Sequence, residues 1–137
     1  MVVTIKKATL DKIIEHSESG FPHEVCGALI GDGKSITEFK ICTNLNTERA
    51  HDRYELDPES FNDADKWARD NGLEIMGIYH THPDHPSRPS EFDRERAWPD
   101  WFYIILSIMS GKFDNFRTWV LEDFDSQFVE YKLEVVD

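Results

Sequence analysis

Leu73-Glu74-Ile75-Met76-Gly77-Ile78-Tyr79-His80-Thr81-His82 is the stretch on which the fold turns. The run is mostly apolar on both faces of a period-two pattern, as in a central strand covered on two sides. Helices are therefore expected to pack against the sheet that contains it. The same alternation places the two histidines. Successive strand side chains point to opposite faces, so His80 and His82 share one face and Tyr79 and Thr81 take the other, where structural roles are expected.

Working outward, residues 8–19 carry Leu10, Ile13 and Ile14 at helical spacing with charges between them, and Gly20-Phe21-Pro22 supplies a stop. Residues 24–31 are too short and too apolar for a surface helix and read as a strand, and Asp32-Gly33 turns it into the alternating run 35–43. After a polar loop, 44–53, Asp57-Pro58 gives an N-cap with proline at the first helical position. Phe61, Ala64, Trp67 and Ala68 then mark one face of a second helix as far as Gly72. Runs at 102–109, 116–122 and 127–136 predict three further strands. The four tryptophans sit in helix-face or strand patterns and read as core packing, with Trp98 and Trp101 also near enough to line a substrate path. The fold class is α/β in the broad sense, α+β, with a mixed, mostly antiparallel sheet flanked by helices. No repeat, low-complexity stretch or linker divides the chain, so residues 1–137 are expected to form a single domain.

At 137 residues the chain can bury a core without staples. Its 27 acidic and 15 basic residues give a formal charge of −12, spread along the chain. Nucleic acid and anionic membranes are unfavourable partners, because a phosphate surface is bound by clustered cations. The densest basic groups here, Lys6-Lys7 and Arg94-Glu95-Arg96, are small or interrupted. The opening Met1 to Lys7 lacks the basic and apolar regions of a secretory signal, and no run is long enough to span a bilayer, so a cytoplasmic location is expected. Cys26 and Cys42 lack zinc-hook spacing and are expected to be reduced thiols.

The chemistry lies in His80-Thr81-His82-Pro83-Asp84-His85-Pro86-Ser87-Arg88-Pro89-Ser90-Glu91-Phe92-Asp93. Two imidazoles on one strand face and Asp93 folded back by the proline-rich segment offer three ligands to Zn2+, leaving the open position of a catalytic site. Ser90-x-x-Asp93 is also close to a helix capping box. A helix starting at Ser90 would aim Asp93 in a fixed direction, so capping and ligation coexist, with one carboxylate oxygen left for the metal.

His80-x-His82, seven residues, Ser90-x-x-Asp93 and an upstream Glu24 together resemble the signature of the JAMM (MPN+) zinc metalloproteases. Pro22 to Gly31 and Gly77 to Pro83 are similar to that family's first and metal-bearing strands. The resemblance implies the JAMM/MPN fold, a cytidine deaminase-like arrangement, and a hydrolase of amide bonds. Zinc on His80, His82 and Asp93 would acidify its water and polarise the carbonyl. Glu24 would act as general base and then acid, and Ser90 would donate to the oxyanion, an effect worth roughly 3–4 kcal/mol in a dry site. Outside the signature, His85 is a candidate for contact with substrate or metal. Arg88, in the loop between ligands, is placed to meet a substrate carboxylate.

The family includes isopeptidases that remove ubiquitin-like proteins from lysine and small prokaryotic enzymes acting on sulfur carriers. The chain is minimal, and Tyr54-Glu55-Leu56-Asp57-Pro58-Glu59 looks like the small members. The expected substrate is therefore the Gly-Gly tail of a ThiS/MoaD-like sulfur carrier or another ubiquitin-like protein, docked by strand addition. An acidic carrier would need a locally basic or apolar patch, since like charges repel across a Debye length of roughly 8 Å. The alternative is a catalytically silent MPN-type scaffold or a partner-activated subunit, and a homodimer stays open.

Overall fold

In chain order the elements are β1 (Thr4–Lys6), α1 (Lys7–Ser19), β2 (Cys26–Gly31), β3 (Ser35–Cys42), α2 (Pro58–Asp70) and β4 (Glu74–Pro83). There follow α3 (Glu91–Arg96), β5 (Phe102–Met109), β6 (Lys112–Leu121), β7 (Phe128–Tyr131) and β8 (Glu134–Val136). These come from a computed structural model that describes residues 3–137; Met1 and Val2, at the head of the opening segment, lie outside it.

The strands form one sheet in the order β7-β6-β5-β4-β2-β3-β1-β8. Pairing is antiparallel except at β1–β3, β1–β8 and β4–β5. β4 is the buried central strand its composition predicts. On one face Tyr79 joins Leu10, Ile13, Leu29, Ile104 and Leu106 in the main core, into which α1 packs. On the other, Ile78 packs with Tyr103, Ala97 and Leu121, flanked by Phe61 of α2. Gly27 is required here because it lies opposite Tyr79 across the β2–β4 pair, where a Cβ would sit 2.4 Å from the Tyr79 ring. Asp57 caps α2 by accepting the backbone N–H groups of Glu59 and Ser60, with Pro58 at the first helical position.

Beyond shifts of one or two residues at element ends, three departures from the sequence reading stand out. β6 begins at Lys112 and not at 116, because Ser110 and Gly111 both take positive φ and close a tight hairpin directly after β5. Residues 112–115 are too polar to read as a strand, yet their pairing needs only backbone. The run 127–136 splits into β7 on β6 and β8 on β1, at opposite ends of the strand order. Only Lys132 and Leu133 join them, so the sheet curls until its two edges approach. Leu133 is buried in the core and the Val3 N–H donates to the Tyr131 hydroxyl (2.9 Å). The third difference is β1, whose three residues carry no periodicity.

Candidate metal centre and catalytic cleft

The end of β4 delivers His80 and His82 to the face shared with α2 and α3. Cys26 on β2 lies directly opposite His80. Just beyond, Thr81 N–H donates to the Val25 carbonyl (3.1 Å) and Val25 N–H to the Thr81 hydroxyl (3.0 Å). This exchange brings Glu24, the next residue, beside the histidines. The loop between β3 and α2 fixes its backbone: Glu24 N–H donates to the Ala50 carbonyl, and the Glu24 carbonyl accepts from Asn44 Nδ2 (3.1 Å). From the other side comes Asp93, in the first turn of α3. The capping box is complete, with Asp93 N–H donating to Ser90 Oγ (3.0 Å) and Ser90 N–H to Asp93 Oδ2 (3.0 Å).

Four ionisable side chains thus converge out of solvent: Glu24 is 3% exposed, His80 1%, His82 7% and Asp93 7%. Asp93 Oδ2 is 3.0 Å from His82 Nε2 and 3.8 Å from His80 Nε2, and Glu24 Oε1 is 3.4 Å from His80 Nδ1. Tetrahedral zinc with bonds of about 2.0–2.1 Å spaces its ligand atoms about 3.3 Å apart, between the two separations found at Asp93. The hydrogen bonding points the same way. His82 Nδ1 faces the Pro86 carbonyl at 2.8 Å and donates to it, which turns Nε2 towards Asp93. Nε2 and Asp93 Oδ2 then face one another at 3.0 Å, close enough to share a proton or a cation. Glu24 Oε1 and His80 Nδ1 are buried without hydrogen-bond partners. The donor set fits Zn2+.

The electrostatics reflect the same crowding. Burial works against a charged His80, yet Asp93 and Glu24 outweigh it and raise its pKa. Burial likewise opposes ionisation of Asp93, but His80, His82 and the Ser90 N–H hold its carboxyl below the ordinary range. The oxygen that takes the cap is also the one facing the histidines, so Oδ2 combines the two roles that the sequence reading divided between two oxygens.

A cavity of about 500 Å³ opens onto this cluster, lined by Glu24, His82, His85, Arg88 and Ser90, with Asp52 on its wall. All seven residues singled out from the sequence are therefore in one place, with His80 and Asp93 behind the cleft wall. Ser90 is exposed, and because its Oγ accepts from Asp93 its own proton is available to the cleft. Tyr54 and Asn44 had no role in the sequence reading. The Tyr54 ring stacks on His80 with centroids 4.3 Å apart, and Asn44 holds the loop that carries it. Tyr54 lies in a stretch already notable for its resemblance, whereas nothing in the sequence singles out Asn44. Trp98 departs from the core-packing expectation: it is 59% exposed, edge-on to Phe124, and lines a second groove of about 480 Å³ with Tyr54 and Trp101. Cys26 and Cys42 are free, lie opposite one another and belong to a separate apolar cluster. Among the described residues no helix is long and apolar enough to cross a membrane.

Residues 6–122 match the family described as prokaryotic homologs of the JAB domain. A desampylase of Haloferax volcanii is 38% identical over 104 residues, covering 71% of this chain and 74% of the relative. A desampylase of Pyrococcus furiosus is 32% identical over 103 residues, covering 73% and 68%. The fold is that of a JAB1/MPN domain protein from Archaeoglobus fulgidus, at TM-score 0.64 and 20% identity over 98% of each chain.

Proposed function

The chain belongs to the prokaryotic JAB-domain family and is a zinc hydrolase of the JAMM type, and from that premise we propose that it cuts amide bonds at the C-terminal tail of a small ubiquitin-like protein, with a sulfur carrier of the ThiS/MoaD kind as the substrate class. The observation that carries this reading is the buried group Glu24, His80 and His82, whose side chains lie close enough to share one ion, with Asp93 Oδ2 3.0 Å from His82 Nε2 beside it and an open cleft in front. The two relatives named desampylases support a ubiquitin-like substrate.

In this reading His80, His82 and Asp93 hold the ion. Bound there, zinc supplies a Lewis acid for the carbonyl and brings the pKa of water towards neutrality. Glu24 Oε1 takes the proton from the attacking water and returns it to the leaving amine, so one carboxylate serves as base and then acid. Its burial suits this work, since no bulk water competes for the proton. The Ser90 hydroxyl donates to the oxyanion of the tetrahedral intermediate, held by the cap at the start of α3. His85 and Arg88, on the cleft wall, contact the substrate. Residues 1–137 act as one catalytic domain, and a cytosolic setting suits the two free, buried thiols.

The test is zinc content paired with cleavage of ubiquitin-like carriers bearing C-terminal extensions, for wild type and Glu24→Gln. We expect one zinc per chain in both proteins and release of the extension by wild type alone. Turnover by Glu24→Gln would remove the base from the mechanism, and a chain that binds no zinc would overturn the reading.

A further inference from the structure

Five of the seven arginines in this chain are engaged. Arg49, Arg69 and Arg96 meet carboxylates, Arg53 lies over the Phe92 ring, and Arg94 reaches the Phe124 carbonyl. Arg88 and Arg117 have no such partner among the described residues, although the chain carries 27 acidic side chains. Both line one trough of about 360 Å³ on the far side of the 84–89 segment, together with Ser87, Ser107 and Asn115.

The trough is rigidly framed. Trp119 Nε1 donates to the Ser87 carbonyl (3.0 Å), the Ser87 hydroxyl bonds Asn115 (2.5 Å), and the Ser107 hydroxyl donates to the His85 carbonyl (2.6 Å). Asn115, Arg117 and Trp119 alternate onto one face of β6, so the two outer residues pin the segment that carries Arg88 while Arg117 stands between them. Asp114 also lines the trough, but it is a single carboxylate, already accepting from Asn115 Nδ2 (2.8 Å), against two guanidinium groups. Pro86 and Arg88 line both this trough and the catalytic cleft. A chain leaving the cleft across them enters the trough.

We propose that Arg88 and Arg117 form a carboxylate subsite for the leaving side of the scissile bond, binding the free α-carboxylate of the segment that is released. The enzyme then trims short extensions from a carrier's C-terminus in preference to cutting conjugates at an internal lysine, where no such carboxylate is within reach. This rests on the hydrolase reading above and specifies its substrate. Planar guanidinium groups suit the task, since each can donate two parallel hydrogen bonds to a carboxylate.

The experiment compares one carrier carrying the same short extension as a free acid and as a C-terminal amide. Wild type should prefer the acid by about ten- to hundredfold in kcat/KM, carried by KM, as expected for a charged hydrogen-bonded group. The acid-to-amide ratio should fall towards one in Arg88→Gln and Arg117→Gln and be partly restored in Arg88→Lys. A wild-type ratio near one, or a preference that survives both glutamine variants, overturns the proposal. So does an equal loss on acid and amide in the variants, which would place the bound anion on an acidic side chain of the carrier. Anisotropy with the same tails, labelled, on Glu24→Gln reads the subsite without turnover. Acid-selective binding without cleavage by wild type would sink the hydrolase reading alone, and cleavage without selectivity would sink the subsite alone.

Discussion

Replacing Asn44 should damage catalysis from a position that touches no substrate. Its side chain makes four hydrogen bonds: Nδ2 donates to the carbonyls of Glu24 and Arg53 (both 3.1 Å), and Oδ1 accepts from the N–H groups of Asn46 and Glu55 (both 2.9 Å). At a net value of about 0.5–1.5 kcal/mol each, removing all four costs roughly 2–6 kcal/mol. The loop is half-exposed and water can replace some partners, so Asn44→Ala should lose about 3 kcal/mol, or about 12 °C in unfolding midpoint for a chain of this size. Asn44→Asp keeps both acceptor bonds, which hold the loop, and loses the two donor bonds, one of which fixes the backbone of Glu24. Its second oxygen, charged and without a proton, then faces the Glu24 and Arg53 carbonyls, so stability should fall by at least as much as in Asn44→Ala. The turnover number should drop at least about tenfold in both variants, because displacement of a catalytic group by about 1 Å can cost a hundredfold. Circular dichroism melts and kcat at saturating substrate, with zinc content measured for each protein, provide the readouts. Wild-type kcat in Asn44→Asp would refute the argument that this side chain sets the position of Glu24.

Zinc at about 100 times its dissociation constant should stabilise the chain by about 2.7 kcal/mol, roughly 10 °C in midpoint, and His80→Ala or Asp93→Ala should abolish the shift. A wild-type melt indifferent to chelator would speak against the metal centre. Gly27→Ala should cost about 1–3 kcal/mol, since the added methyl meets the Tyr79 ring at 2.4 Å; a variant as stable as wild type would mean the ring moves freely. His16, half-buried on α1 beside the Tyr79 hydroxyl (2.7 Å), has its pKa lowered by burial. The unfolded chain therefore binds its proton more readily, so the contribution is fully present above about pH 6.5 and is lost as pH falls through the lower folded value. Urea melts between pH 7.5 and 5.5 should show a shallower decline for His16→Gln, and parallel declines would exclude this source.

Much of the site could be read in advance because it is encoded locally. Strand alternation alone puts His80 and His82 on one face, and the Ser90-x-x-Asp93 cap fixes its own turn of helix. Glu24 depended on more, since its approach needs β2 to pair with β4 in one register, which the resemblance supplied and local pattern did not. Asn44 and Arg117 carry no local signal for the same reason: each works with a group, the Glu24 carbonyl or Arg88, that its own sequence neighbourhood does not reveal, whereas Tyr54 lies in the stretch that resembles the small family members. Arg117 reaches the trough that Arg88 lines only through the β5–β6 hairpin, where the first residues of β6 are too polar to read as strand. The very short strand β1 escaped because three residues cannot display a period, and β8 reads as the end of one longer strand, 127–136.

The curled sheet has a consequence for how the protein is made. β1 sits between β3 and β8, and its contact with β8 joins Thr4 to Glu134, 130 residues apart. Closing so long a loop costs about 3 kcal/mol more in chain entropy than closing a tight hairpin. The β5–β6 hairpin can form early, whereas β1 must wait, with its outer edge unpaired, until β8 has left the ribosome. Folding should therefore end with the joining of the two ends of the chain, and a nascent protein stalled before residue 134 would present that open edge to its neighbours.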